Sequence, residues 1–87
     1  MLQPFYSRKF LQGYKKLPVH IQKKVDKQII FLLNDIRHPS IRAKRLEGKE
    51  NVWEGRVDRS YRFTFLIEKE NITLISVGVH DEALGKK

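Results

Sequence analysis

Between residues 53 and 67 the apolar side chains Trp53, Val57, Tyr61, Phe63, Phe65 and Ile67 all occupy odd positions. A strand turns successive side chains to opposite faces, so this run specifies two β-strands and the buried face of each. Glu54, Arg56, Arg62 and Thr64, at even positions, then face away from the core. Val57 and Phe63 share a face across the hairpin only if the loop between the strands has an odd number of residues. A three-residue loop, Asp58-Arg59-Ser60, meets that condition and sets Arg56 directly opposite Arg62. Opposed like charges destabilise a strand pair. Either that face serves an anion, or Glu54 and Asp58 neutralise it.

Ahead of the hairpin the period changes. Ile21, Val25, Ile29, Leu32, Leu33 and Ile36 recur every three or four residues, with Lys23, Lys24 and Lys27 on the opposite side. That spacing predicts an amphipathic helix, ending before the His38-Pro39 pair because a residue preceding proline leaves the α region. A shorter helix is expected after Ser7 as N-cap, with Phe10, Leu11, Tyr14 and Leu17 apolar, weakened by Gly13 and ended near Pro18. "LQPFYS" suits a first strand at a sheet edge, where Pro4 costs no ladder bond. The segment "SIRAKRLEGKEN" reads as a connection with one helical turn. Strands follow at about 52–58, 61–68 and 72–79, with Lys69-Glu70-Asn71 as the second turn. The order β-α-α-β-β-β predicts an α+β fold, two helices on a mostly antiparallel sheet.

The 87 residues suffice for a single domain, 1–87, with one modest core. There is no cysteine, and hence no disulfide or thiolate metal site. No apolar run approaches a signal peptide or a membrane span, so a cytoplasmic location is expected. The formal charge of +8 points toward a polyanion. Residues 1–50 carry the whole excess, with 12 Lys/Arg against 4 Asp/Glu, while residues 51–87 hold 6 of each. The front half supplies the field; the back half mixes signs, as a reacting site often does.

Continued parity places Ser76 and His80 on the face of Glu54, Arg56 and Arg62. One carboxylate, one imidazole and two guanidiniums on one face are what RNA cleavage by its own 2′-hydroxyl requires. A base takes the 2′-proton, an acid protonates the 5′-oxygen, and fixed cations hold the pentavalent phosphorane. Histidine suits either proton role, and arginine presents a fork matched to phosphate oxygens. No His/Asp/Glu spacing demands a metal, and neither a Gly-rich phosphate loop nor a nucleophile motif is present, so no cofactor is expected. The plainer alternative is a structural strand-end histidine beside an ordinary ion pair.

The whole chain resembles the RelE/ParE superfamily, the toxins of type II toxin–antitoxin pairs. The resemblance is carried by "LPVHIQKKVDKQIIFLLND" with "HPSIRAKRLEG", then by "VWEGRVDRSYRFTF" and "ISVGVHDEAL". It implies a two-helix, curved-sheet domain and, in the RelE branch, cleavage of mRNA in the ribosomal A site under control of a cognate antitoxin. Residue by residue, it implies a phosphate-stabilising role for Arg62, a place near the scissile phosphate for Arg56 and a general acid at His80. Glu54 stands where some relatives carry lysine, and a carboxylate there would serve as base. The chain departs from RelE-type members in ending "DEALGKK", with no tyrosine after His80. Lys23, Lys24, Lys27, Lys44, Arg45 and Arg59 are the expected nucleic-acid contacts, on mRNA and ribosomal RNA. A ParE-like gyrase inhibitor or a non-catalytic RNA-binding module of the same fold would not need the Glu54/His80 pair.

Overall fold

Two periodicities in one short chain oblige a helical stripe to pack on a sheet face, and the computed structural model, which describes residues 2–80, shows that packing. Strand β1 (Gln3–Tyr6) leads to helices α1 (Arg8–Lys15) and α2 (Val19–Asn34). A two-residue strand β2 (Lys44–Arg45) precedes β3 (Val52–Arg56), β4 (Tyr61–Glu68) and β5 (Asn71–Val79). The sheet runs β1-β5-β4-β3-β2, antiparallel except for the parallel β1–β5 pair, with Pro4 on an edge strand as expected. No described helix is long and apolar enough to cross a membrane.

The core lies between the helices and one sheet face. Val25 and Leu32 of α2 and Phe10 of α1 are buried with Phe63, Phe65, Ile72 and Leu74. Three local expectations differ from the structure. Helix α2 stops at Asn34, because Asp35 is extended and its carboxylate accepts the Arg37 N–H at 3.0 Å in a local turn that competes with the helix. Ile36 therefore packs from a loop. The basic connection forms a strand in place of a helical turn: Lys44 and Arg45 pair with Glu54 and Trp53, giving the free edge of β3 a partner. The second hairpin turn has two residues, since Glu68 pairs with Asn71 and Lys69 takes a φ of 54°.

That shorter turn alone would place Ser76 and His80 on the helix side. A bulge in β5 returns them to the outer face: Thr64 pairs with Ser76 but Phe65 with Leu74, leaving Ile75 as the extra residue. Ile72 and Leu74 therefore face the core before the bulge, and Val77 faces it after. Ser7 stabilises the irregularity from α1. Its Oγ donates to the Ile75 carbonyl at 2.7 Å and accepts the Phe10 N–H at 3.0 Å, serving as N-cap and bulge partner together.

Tyr14 joins the two helices by donating to an Asp26 carboxylate oxygen at 2.7 Å. That bond, then desolvation and the Asp26 charge, push the phenol up to about 12. Gly13 is a requirement of packing. A β-carbon there would stand 2.5 Å from the Val77 carbonyl oxygen, so α1 reaches β5 only with hydrogen at that position. Gly13→Ala gains helix propensity of about 1 kcal/mol but overpacks by about 1–3 kcal/mol. The overpacking should win, and thermal unfolding should show a lower Tm for Gly13→Ala than for the parent chain.

Candidate active site

The sheet face turned away from the helices carries two rows of side chains, set by strand register. Lys44, Glu54, Thr64 and Ser76 lie side by side across β2, β3, β4 and β5. Arg56, Arg62 and Gly78 form the next row. The first row is anchored by a buried hydroxyl pair, Thr64 Oγ1 and Ser76 Oγ, 2.6 Å apart. Gly78, opposite Arg62 in the register, brings no side chain to the second row. At the end of β5 the His80 N–H donates to the Ser60 carbonyl at 2.9 Å, fixing the histidine to the hairpin loop.

The opposition of Arg56 and Arg62 is present in the register. The repulsion is relieved because Arg62 turns onto its own loop. Its Nη1 donates to the carbonyl oxygens of Asp58, Tyr61 (3.0 Å) and Arg59 (3.4 Å), whose partial negative charge stabilises the cation. Among the described residues only one guanidinium nitrogen is used, so other N–H donors of Arg62 remain for an anion. Asp58 shapes the same loop from its carboxylate, which accepts the N–H groups of Ser60 and Tyr61, both at 2.9 Å.

Glu54 and His80 come together. Glu54 Oε2 lies 3.6 Å from His80 Nδ1, too long for a good hydrogen bond and within range of an ion pair if the ring is protonated. Both atoms are buried and have no hydrogen-bond partner among the described residues. A buried carboxylate oxygen and ring nitrogen without a hydrogen bond are costly in a finished core, and here the two atoms face each other. The pair lines a groove of about 550 Å³ together with Lys44, Arg45, Glu47 and Lys49. Lys44, the direct cross-strand neighbour of Glu54, thus stands beside the candidate chemistry.

The remaining expected contacts are dispersed. Lys23 is exposed on α2, and Lys27 lies over the Phe31 ring at 5.8 Å. Lys24 reaches Asp58 Oδ2 at 3.3 Å, so it braces the hairpin loop against α2. Arg59 is exposed at the loop tip. Sequence reasoning overlooked Gln28, which is buried in the apolar stripe of α2. Its amide nitrogen donates to the carbonyls of Ser40 (2.9 Å) and Arg56 (2.7 Å), and its oxygen accepts the Ser40 hydroxyl at 3.1 Å. The Arg56 N–H in turn donates to Ile41 at 2.7 Å, so this arginine's backbone is held on both sides. A polar residue at a stripe position was the available signal.

No family model matches the chain, and no curated protein matches it in sequence. Solved structures do match in shape. A copper-bound mutant toxin from Helicobacter pylori aligns with a TM-score of 0.78 at 19% identity, covering 94% of this chain and 98% of that one. The isolated RelE toxin of Escherichia coli aligns at 0.75 and 19% identity, over 98% and 97% of the two chains. A RelE–RelB complex from Pyrococcus horikoshii aligns at 0.77 and 13% identity, over 94% and 98%. The fold is that of the RelE/ParE toxins. The likeness covers both helices and the sheet that carries the Glu54–His80 pair in this chain.

Asp58 supplies a test of the site's scaffold. Burial pushes its carboxyl up, but the Ser60 and Tyr61 N–H groups and the Lys24 ammonium outweigh burial and hold it below the usual 3.8. A depressed folded pKa contributes stability that is present above the unfolded value and lost as pH falls through the folded one. Asp58→Asn should therefore have a lower urea midpoint than the parent chain near neutral pH, and the gap should close in acid. A gap that persists unchanged below the carboxylate range would show that charge plays no part.

Proposed function

We propose that this chain is the toxin of a type II toxin–antitoxin pair and acts as a ribosome-dependent endoribonuclease on mRNA. The observation that carries the reading is the Glu54–His80 pair, 3.6 Å apart and unbonded at the wall of a cation-lined groove. The RelE-like fold supports it, as do neighbours whose structures are complexes of toxin and antitoxin, among them the Escherichia coli RelBE and Pyrococcus horikoshii RelE–RelB assemblies. The partners are then an antitoxin, mRNA and ribosomal RNA, and the place of action is the cytoplasm.

In this mechanism Glu54 takes the proton of a 2′-hydroxyl as its oxygen attacks the adjacent phosphorus. Arg56, Arg62 and Lys44 hold the non-bridging oxygens as negative charge builds on the phosphorane, the point at which prearranged cations act most strongly. His80, protonated beside Glu54, gives its proton to the departing 5′-oxygen. The products are a 2′,3′-cyclic phosphate and a 5′-hydroxyl, and every proton has a side chain to leave or enter by. Lys23, Lys27, Arg45 and Arg59 are assigned to the nucleic-acid backbone. Lys24 joins them only by giving up Asp58.

Single-turnover cleavage of mRNA on programmed ribosomes tests the chemistry. His80→Ala should cut more slowly by on the order of 10²–10⁴-fold while still binding ribosomes. A 5′-phosphate product, or undiminished cleavage by His80→Ala, would overturn the mechanism. Inhibition of gyrase supercoiling without RNA cleavage would reassign the chain to ParE-type action.

The docking assignment has its own measurement. Reversing Lys23 and Lys27 to Glu should flatten the dependence of log affinity on log salt by roughly 0.7–0.9 for each phosphate no longer neutralised. An unchanged slope would leave both lysines as solvated residues of α2.

A further inference from the structure

On the helix side of the sheet, behind the candidate active site, Leu2 and the 36–43 loop enclose a cleft of about 700 Å³ against β3 and β4. That volume falls within the roughly 300–1,000 Å³ typical of ligand sites. Its walls are apolar, formed by Leu2, Ile36, Ala43, Trp53 and Ile67. Arg37 and Arg42 also line it; both are exposed, and neither guanidinium has an ion pair among the described residues. Arg42 sits at φ 49°, in the left-handed region that Asn51 and Lys69 also occupy.

The cleft is held open by its own loop. The His38 ring stacks on Phe31 at 4.0 Å, and its Nδ1 accepts the Ser40 N–H at 3.2 Å, leaving the proton of the neutral ring on Nε2. Gln28 fixes Ser40, and Ile41 is bonded to Arg56. Asp35, the only carboxylate in residues 35–43, accepts the Arg37 backbone N–H. The pattern is an apolar floor with unpaired positive charge at the rim.

We propose that this cleft docks an acidic peptide segment of a protein partner, which inserts a large apolar side chain against Trp53 and Ile67 and sets carboxylates on Arg37 and Arg42. Nucleic acid would satisfy the arginines, but it would bring the polar edges of a base to a floor without partners for them, at a desolvation cost. An aliphatic or aromatic side chain has no such cost, and carboxylates match the guanidinium fork. Trp53 and Glu54 are successive residues on opposite sheet faces, so the docked segment and the groove for RNA occupy different surfaces.

Selection from a random-peptide display library on the full chain tests the proposal. The enriched peptides should carry acidic residues around one bulky apolar residue. Titrated as synthetic peptides, they should change the emission of Trp53, the only tryptophan in the chain. Reversing Arg37 and Arg42 to Glu should weaken binding by about tenfold or more, a change of about 1.4 kcal/mol. Ala43→Leu should block the cleft with charge unaltered, and thermal unfolding of both variants confirms that they fold. The proposal is overturned by absence of enrichment, by enrichment of neutral or basic peptides, or by binding that both variants retain. It is equally overturned if oligouridylate moves Trp53 emission as tightly as the selected peptides. Emission and RNA cleavage are separate readouts, so failure of the nuclease mechanism leaves this test intact.

Discussion

Strand β5 has to give the helices apolar side chains at Ile72, Leu74 and Val77, an interval that strict alternation forbids. One extra residue at Ile75 resolves the conflict, and most of the molecule's asymmetry follows from it. Before the bulge, even-numbered residues face the core; after it, they face outward. Ser76, Gly78 and His80 thereby join Glu54 and Arg62 on the outer face. Without the extra residue the core would lose Val77 and the histidine would point toward α1. The backbone irregularity is itself satisfied by Ser7, whose hydroxyl takes up the Ile75 carbonyl while capping α1. Helix start, core and candidate site therefore share one small device.

The outer face collects charge that a sheet would ordinarily avoid, and it manages that charge locally. Arg62 is stabilised by loop carbonyls, and Asp58 by backbone N–H groups and Lys24. Glu54 has no such partner at hydrogen-bond distance among the described residues, and neither has the Nδ1 of His80. The contrast separates groups that build the hairpin from groups left over for chemistry. The Arg62 guanidinium, opposite Arg56 in register, is turned onto its own loop.

The 36–43 loop connects the two faces. It lines the apolar cleft on the helix side, while its Ser40 and Ile41 carbonyls and the Gln28 amide secure the backbone of Arg56. A buried amide with both its donors used and its oxygen bonded is rigid in a way that apolar contacts are not, since each bond has a direction. Gln28 thus places one of the candidate phosphate-binding residues from the far side of the sheet.

Much of this was legible in the residues alone. Alternation at 53–67 specified the hairpin and its three-residue loop, and therefore the Arg56–Arg62 register, because parity is a local property of the chain. The stripe at Ile21, Val25, Ile29 and Leu32 specified α2 for the same reason. Parity also placed His80 on the face of Glu54, but only because two misreadings cancelled: a turn one residue too long and a bulge not foreseen. The ending of α2 at Asn34, the strand at Lys44–Arg45 and the engagement of Lys24 by Asp58 were not legible. Each depends on a partner distant in the chain or on a side chain competing for backbone groups. Sequence by itself determined which residues share a face within an uninterrupted strand or helix, since that follows from the period of the backbone. Tertiary structure alone decided which of them meet, since bulges, edge pairing and ion pairs depend on contacts between segments far apart in sequence.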